Sequence, residues 1–266
     1  MSERDKPVQC RRHGDSHATF VCGHLASRSL AGFHTARDPE DPRPDAWCER
    51  CEEVLRAEGG AWNEASEAFA GIKLICAGCY DDVRAKNEGA PRSDLVAASF
   101  TCECCGERYA GLPHDFSFDA PKPYVALSRG ERDRAFLTED RCEIGDDRFV
   151  RGCLEIPVLR GARPFVYGVW VSLSQRSYAE FVARADDLRR YQDGPYFGWL
   201  CNSLPGYPET ALLKTHVHLR PPPLRPIVEL EPTDHPLAVD QRNGITEERF
   251  RSVAFELLHA DGAARH

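Results

Sequence analysis

Four close pairs of metal-ligand residues crowd the first third of this chain: Cys10 with His13, Cys22 with His24, Cys48 with Cys51, and Cys76 with Cys79. Eight such residues suffice for two tetrahedral zinc sites. The segment that holds them is rich in Gly, Pro, Arg and Asp and has no long apolar period. A stretch of under about 100 residues buries too little surface to carry a fold unaided, and a structural metal compensates. The expected helices are short, over 62–70 and 80–86. Asp81 and Asp82 fall in the first turn of the second, where they complement the helix dipole.

The pairing of the ligands stays open at this level. In a sequential arrangement Cys10, His13, Cys22 and His24 hold one ion and Cys48, Cys51, Cys76 and Cys79 the other. In a cross-braced one the first pair joins the third and the second joins the fourth. The all-cysteine quartet, with a helix between its halves, favours the sequential set. C-x2-C repeated twice is a strong signal and Cys22-x-His24 a weaker one, for which His17 or His34 could substitute; if both pair histidines are ordinary surface residues, one ion remains. Four protein ligands leave no open position for water or substrate, so such sites are structural rather than catalytic.

The whole chain has 266 residues, a net charge of −8 and 12 cysteines. Two domains are expected from the length. The acidic balance argues against nucleic acid as a partner and against an anionic membrane, both of which select basic surfaces. No run of about 18 apolar residues offers a membrane span, and the polar start MSERDKPVQCRRHGD lacks a secretory apolar region. The expected address is cytoplasmic, where thiols stay reduced and metal ligation outweighs disulfides.

Residues 1–88 read as the Cys/His-rich module, 89–98 as a linker with Gly, Pro and Ser, and 99–266 as a second domain. In the latter, 149–158 and 164–174 read as strands joined through LRGAR, with Phe165, Tyr167, Val169 and Val171 on one face and Val166 and Trp170 on the other. Segment 177–191 reads as a helix with Tyr178, Phe181, Val182 and Leu188 near one face. Strands are expected at 211–220 and 224–232, and a last helix at 245–260 with Thr246 as N-cap and Phe250, Val253, Leu257 and Leu258 as its apolar stripe. The fold class is α+β: a small zinc-stabilised N-terminal module, then an antiparallel-sheet domain with packed helices.

Several stretches of this second domain carry a resemblance: FTCECCGERYAGLPHDFSFDAP, RCEIGDDRFVRGCLEIPV, YGVWVSLS, YFGWLCNSLPGYPET and LEPTDHPLAVDQRNGIT. Together they resemble an uncharacterised bacterial family, domain of unknown function 2199, over about residues 100–260. The resemblance implies a bacterial source and marks the N-terminal module as an extension; the family's label states no activity.

Further chemistry in the second domain is thinner. Cys102 and Cys105 outline another knuckle, with Cys104 between them; Cys142 would be a third ligand, and Cys153, His114 or His235 could complete a third zinc set. The run 231–246 is dense in polar residues. Asp234, His235, Asp240 and Arg242 are the candidate catalytic groups of an enzyme reading, with an aromatic wall from Tyr196, Phe197, Trp199 and Tyr207. Turn and cap chemistry accounts for the same polar residues. His216 and His218 alternate on one strand face without an evident third ligand. No nucleophile elbow, Walker loop, dinucleotide fingerprint or His-Glu-x-x-His motif occurs. The sequence therefore points to a cytosolic, zinc-stabilised binding or regulatory module with a protein partner; an enzyme of unknown reaction is the alternative.

Overall fold

The computed structural model describes residues 7–27, 32–38, 40–88, 100–101, 106–109, 111–159 and 163–263. It divides into two compact units, Met1–Ala90 and Pro91–His266. The linker expected at 89–98 and the LRGAR turn at 160–162 lie outside the described residues.

The first unit is organised by one strand. β1 (Pro7–Cys10) turns into β2 (Gly14–Val21), which leads into the short helix α1 (Gly23–Ser27). β3 (His34–Thr35) and β4 (Ala46–Trp47) follow, then α2 (Glu49–Ala57), α3 (Glu64–Ala70), β5 (Lys73–Cys76) and α4 (Ala77–Glu88). β2 pairs antiparallel with β1 along its first half and with β5 along its second, and parallel with β4 at Val21–Ala46. α3 and α4 are the two expected helices. α2 is additional: the first C-x2-C opens it, with Cys48 as N-cap and Glu49 and Glu52 in the first turn, where acidic groups suit the dipole. α3 starts with a capping box between Asn63 and Ser66.

The core of this unit is small. Its buried members are Val21, Cys22, Leu25, Ala46, Cys48, Cys51, Ala70 and Tyr80, so three of the eight are candidate ligands. Tyr80 donates to Pro44 O at 2.8 Å, and the Trp47 and Trp62 rings meet edge to face at 5.3 Å.

In the second unit β6 (Phe100–Thr101) and β7 (Arg108–Tyr109) form a two-stranded ladder. β8 (Asp115–Ser117), α5 (Lys122–Val125), α6 (Arg129–Arg132), β9 (Phe136–Leu137) and β10 (Arg141–Ile144) lead to the long hairpin of β11 (Asp147–Ile156) and β12 (Phe165–Leu173). After α7 (Gln175–Ala183) come β13 (Tyr196–Leu200), β14 (Lys214–His218), β15 (Ile227–Leu230), α8 (Pro236–Asn243) and α9 (Glu247–Ala263). β11 to β15 pair in sequence order, and β15 returns to β11 in parallel at Cys153–Ile227, closing a five-stranded barrel. Closure removes free sheet edges.

Alternation decides what fills it. Phe165, Tyr167, Val169, Val171 and Leu173 point into the main core with Leu154, Ile156, Leu200, Val217 and Val228, and with Phe250, Val253 and Leu257 of α9. Trp170 faces the other way, against Cys142, Phe149 and Cys201. Thr246 caps α9 as expected, accepting from Arg249 N–H at 3.2 Å. Three segments differ from expectation. The helix at 177–191 ends at Ala183, because Asp187 takes the Arg189 N–H and the Arg184 guanidinium in a tight turn; Leu188 is exposed. Tyr196–Leu200 is a barrel strand rather than a connection, and Pro236–Asn243 is a helix rather than a loop.

Two buried polar groups shape this unit. Arg190 donates to the carbonyls of Arg220, Ala185 and Leu224 at 2.6, 2.8 and 2.7 Å, tying the chain before β13 to the β14–β15 connection. His114 is 4 % exposed, its ring lies 4.5 Å from that of Phe250, and neither ring nitrogen has a hydrogen-bond partner among the described residues. Burial, with Arg163 adding positive charge, holds its pKa below the ordinary 6.5. The unfolded chain then binds a proton that the folded chain refuses, so stability falls as pH drops through about 6.5. Urea unfolding between about pH 7 and pH 5 is expected to show this loss, at most about 1.4 kcal/mol per pH unit from one group. His114→Phe is expected to remove that share of the slope; an unchanged slope contradicts the assignment.

Candidate metal centres

The eight pair residues converge in fours. Cys10, His13, Cys76 and Cys79 form one group and Cys22, His24, Cys48 and Cys51 the other, with the ligand atoms of each within 4.8 Å of one another. The first pair thus joins the fourth and the second joins the third. Neither the sequential nor the cross-braced arrangement is what the chain adopts: the pairing is nested, and both groups are Cys3His.

β2 produces this nesting. Its start carries the turn bearing Cys10 and His13. β5 runs antiparallel to it, with Ala18 opposite Cys76, so the chain leaving β5 heads back toward that turn. Ala77 N–H donates to Ser16 Oγ at 2.9 Å and fixes the approach. At the far end, parallel β2 and β4 exit together. Cys22 N–H donates to Ala46 O at 2.9 Å, and Cys48 N–H points at Cys22 Sγ at 3.4 Å. The length of β2 therefore separates the two groups.

The spacings fit a metal ion. Zinc bonds of about 2.3 Å to sulfur and about 2.0–2.1 Å to nitrogen put tetrahedral ligand atoms about 3.8 Å apart for two sulfurs and about 3.5 Å for sulfur and nitrogen. In the turn group Cys10 Sγ lies 3.8 Å from Cys79 Sγ, and His13 Nδ1 lies 3.5 Å from Cys76 Sγ, 3.5 Å from Cys79 Sγ and 3.7 Å from Cys10 Sγ. In the inner group Cys48 Sγ lies 3.7 Å from Cys51 Sγ, and His24 Nδ1 lies 3.3 Å from Cys51 Sγ. Every acceptor in both sets is sulfur or imidazole nitrogen, the donor set of structural zinc.

Surroundings reinforce both sets. Asp82 Oδ2 sits 3.5 Å from His13 Nε2 and 3.0 Å from Arg12, so a carboxylate backs the nitrogen that faces away from the sulfurs, as in carboxylate–histidine–metal triads. The His24 ring rests 5.2 Å from Phe69. Hydrogen bonds from Cys48 and Cys51 hold the Cys22 thiol far below its usual range, helped by Leu25 N–H, and the same contacts push Cys51 up. Backbone N–H groups of Arg12 and His13 bring Cys10 down to about 6. Thiolate is the ligating form; these contacts favour it at Cys22 and Cys10, whereas Cys48 and Cys51 are pushed up by neighbouring cysteines and Cys79 by burial and neighbouring cysteines. The groups differ in exposure: Cys22, Cys48 and Cys51 are buried, as is Cys76, while Cys10 and Cys79 are partly exposed.

The stand-in histidines lie elsewhere. His17 is exposed on β2, and His34 Nε2 meets Glu49 Oε2 at 2.6 Å. For the third set, Cys102, Cys104 and Cys105 lie outside the described residues. Cys142 is fully buried among Phe149, Trp170 and Cys201, where burial pushes its thiol up to about 12; Cys153 is raised for the same reason. Apolar burial of this kind makes inert thiols.

The polar run 231–246 is spent on helix architecture. His235 N-caps α8, Nδ1 accepting from Leu237 N–H at 3.2 Å. Arg242 donates through both terminal nitrogens to Thr233 O at 3.1 Å. Asp240 accepts from Tyr207 OH at 2.9 Å and faces Arg249 at 3.7 Å; Asp234 is exposed. Of the aromatic wall, Tyr207 bonds to this run through Asp240. Tyr196 is buried, and Phe197 and Trp199 point outward from the barrel. His216 and His218 pair with Glu231 at 3.6 Å and Glu229 at 2.8 Å.

These features define a class: an α+β protein whose first unit gathers two Cys3His sets that could hold metal ions. Residues 101–245, more than half of the chain, match the family described as an uncharacterized protein conserved in bacteria, DUF2199, and the chain belongs to that family. No curated protein and no solved structure matches it. No helix among the described residues is long and apolar enough to cross a membrane.

Gly78 provides a direct test of the turn group. A Cβ there would lie 2.6 Å from His13 Cγ and 2.9 Å from Nδ1, against a ring that a bound ion would hold in place. Gly78→Ala is expected to weaken metal retention in the turn group by at least about tenfold, the scale of an orienting contact, with the inner group unaffected. Competition with a chromogenic chelator measures it; unchanged retention contradicts the geometry.

Proposed function

We propose that both groups bind zinc and that the protein is a zinc-stabilised binding or regulatory module of the bacterial cytoplasm, with a protein as partner. The observation that carries this reading is the completeness of each set: four protein ligands at tetrahedral spacing. Such a set leaves no position for a substrate or an activated water, so the ion supplies folding free energy rather than chemistry. The small core of the first unit, three of whose eight buried cluster members are ligand-type cysteines, is what that free energy supports. The net charge of −8 weighs against nucleic acid. The caps made by His235 and Arg242 weigh against a catalytic site in the 231–246 run.

Metal analysis of the purified chain is expected to give about two zinc ions per molecule, the number its ligand sets allow. Removing them with a strong chelator is expected to unfold the first unit. Separation of Trp47 from Trp62 then shifts tryptophan emission to the red, while the barrel keeps its β-sheet circular dichroism. Fewer than one ion per chain, or a first unit that keeps its spectrum without metal, ends this reading. Crosslinked capture that requires the zinc-loaded form is the expected signature of a protein partner.

A further inference from the structure

The two metal groups are unequal in one respect that the proposed zinc role does not use. The inner group seals its sulfurs: Cys22, Cys48 and Cys51 are 2 %, 1 % and 1 % exposed. In the turn group only Cys76 is sealed, at 2 %, while Cys10 and Cys79 reach solvent. Their sulfurs lie 3.8 Å apart across 69 residues of chain. We infer that Cys10 and Cys79 are a site of reversible oxidation by hydroperoxides, closing to a disulfide that expels the ion of the turn group while the inner group keeps its own.

This rests on zinc occupying both groups. Susceptibility to oxidation follows thiolate character and access; ligation makes thiolates of all six sulfurs, so access discriminates. One exposed thiolate attacks a peroxide oxygen, the O–O bond breaks, and the other oxygen leaves as alcohol or water after taking a proton. The second thiolate attacks the resulting sulfenic sulfur, the S–S bond forms, and hydroxide leaves and is protonated by solvent. Two electrons pass from two sulfurs to one peroxide. Two of the four ligands are consumed, and His13 and Cys76 alone cannot retain the ion.

The geometry favours this pair over its neighbour. A disulfide needs about 2.05 Å between sulfurs, so the pair must close by under about 2 Å. Cys10 ends β1, an outer strand of its sheet, and Cys79 sits in the first turn of α4. Cys76 is held back by burial and by the Cys79 N–H donated to its sulfur at 3.3 Å. The new bond joins the same two segments that the ion joined, the β1–β2 turn and the start of α4, so the hairpin stays tethered after the metal has left.

The test is a hydrogen peroxide titration of the full-length zinc-loaded chain, reading released zinc with a chromogenic chelator and bridges by mass spectrometry of a non-reduced digest. The expected result is one zinc released per chain, one Cys10–Cys79 bridge, and zinc rebinding after reduction with a dithiol. Cys10→His, which preserves a four-ligand set, is expected to slow peroxide-driven release at least about tenfold. Release of both ions together, a Cys76–Cys79 bridge, or a C10H variant that loses zinc as fast as the parent overturns the inference and leaves the zinc reading intact. A chain that carries no zinc before peroxide is added overturns both.

Discussion

The pairing of β2 with strands on both sides is the interaction on which the first unit depends. It is a local ladder, yet it fixes which distant cysteines meet. Antiparallel β5 returns the fourth ligand pair to the start of β2, and parallel β4 delivers the third pair to its end. The metal sets are thus consequences of strand register. A one-residue slip would turn Cys76 to the opposite face and dissolve one set. The ions would in turn hold the ladder together, since a core with Val21, Leu25, Val54, Leu55 and Tyr80 as its main non-ligand anchors is slight for some eighty residues. With ions bound, fold and ligation would be mutually conditional, as in small metal domains.

The second unit carries a larger interior of its own. Closing five strands buries a continuous interior, and α9 lays Phe250, Val253 and Leu257 against it. Gly198 marks what closure demands. A Cβ there would come within 2.4 Å of Ser172 O and Val171 Cγ1, so β13 can approach β12 only through a glycine. The cysteines follow this division of labour. In the first unit they converge on one another; in the second Cys142 and Cys201 are apolar packing, their thiols pushed up by burial to about 12 and about 11.

Much of this was legible in the sequence, and the failures have physical reasons. The ligand residues were legible because spacing is local: a knuckle is a property of four residues. Their partnership was not, because it is set by a register between residues 18 and 76, and β2 itself, GDSHATFV, carries no strong alternation. The β11–β12 hairpin was legible from the alternation of Phe165, Tyr167, Val169 and Val171. β13 was not, because Gly198 and the outward Phe197 and Trp199 imitate an aromatic loop. α8 was hidden by its own ends: His235-Pro236 and Asn243-Gly244 read as turns when they are the N-cap with proline at N1 and the C-cap of a helix. The dense polar run owed its density to capping, which explains why it resembled a site.

The nested pairing is the claim everything else builds on, and sulfur counting can decide it. Replacing zinc by cadmium-113 and recording its NMR spectrum reports the ligand set of each ion, and couplings to cysteine β-protons and imidazole protons assign the members. The structure predicts two resonances, each of three thiolates and one imidazole, one coupled to residues 10, 13, 76 and 79 and the other to 22, 24, 48 and 51. One all-thiolate resonance beside one with two thiolates and two imidazoles, or couplings that join residues 10 and 13 to 48 and 51, would contradict it.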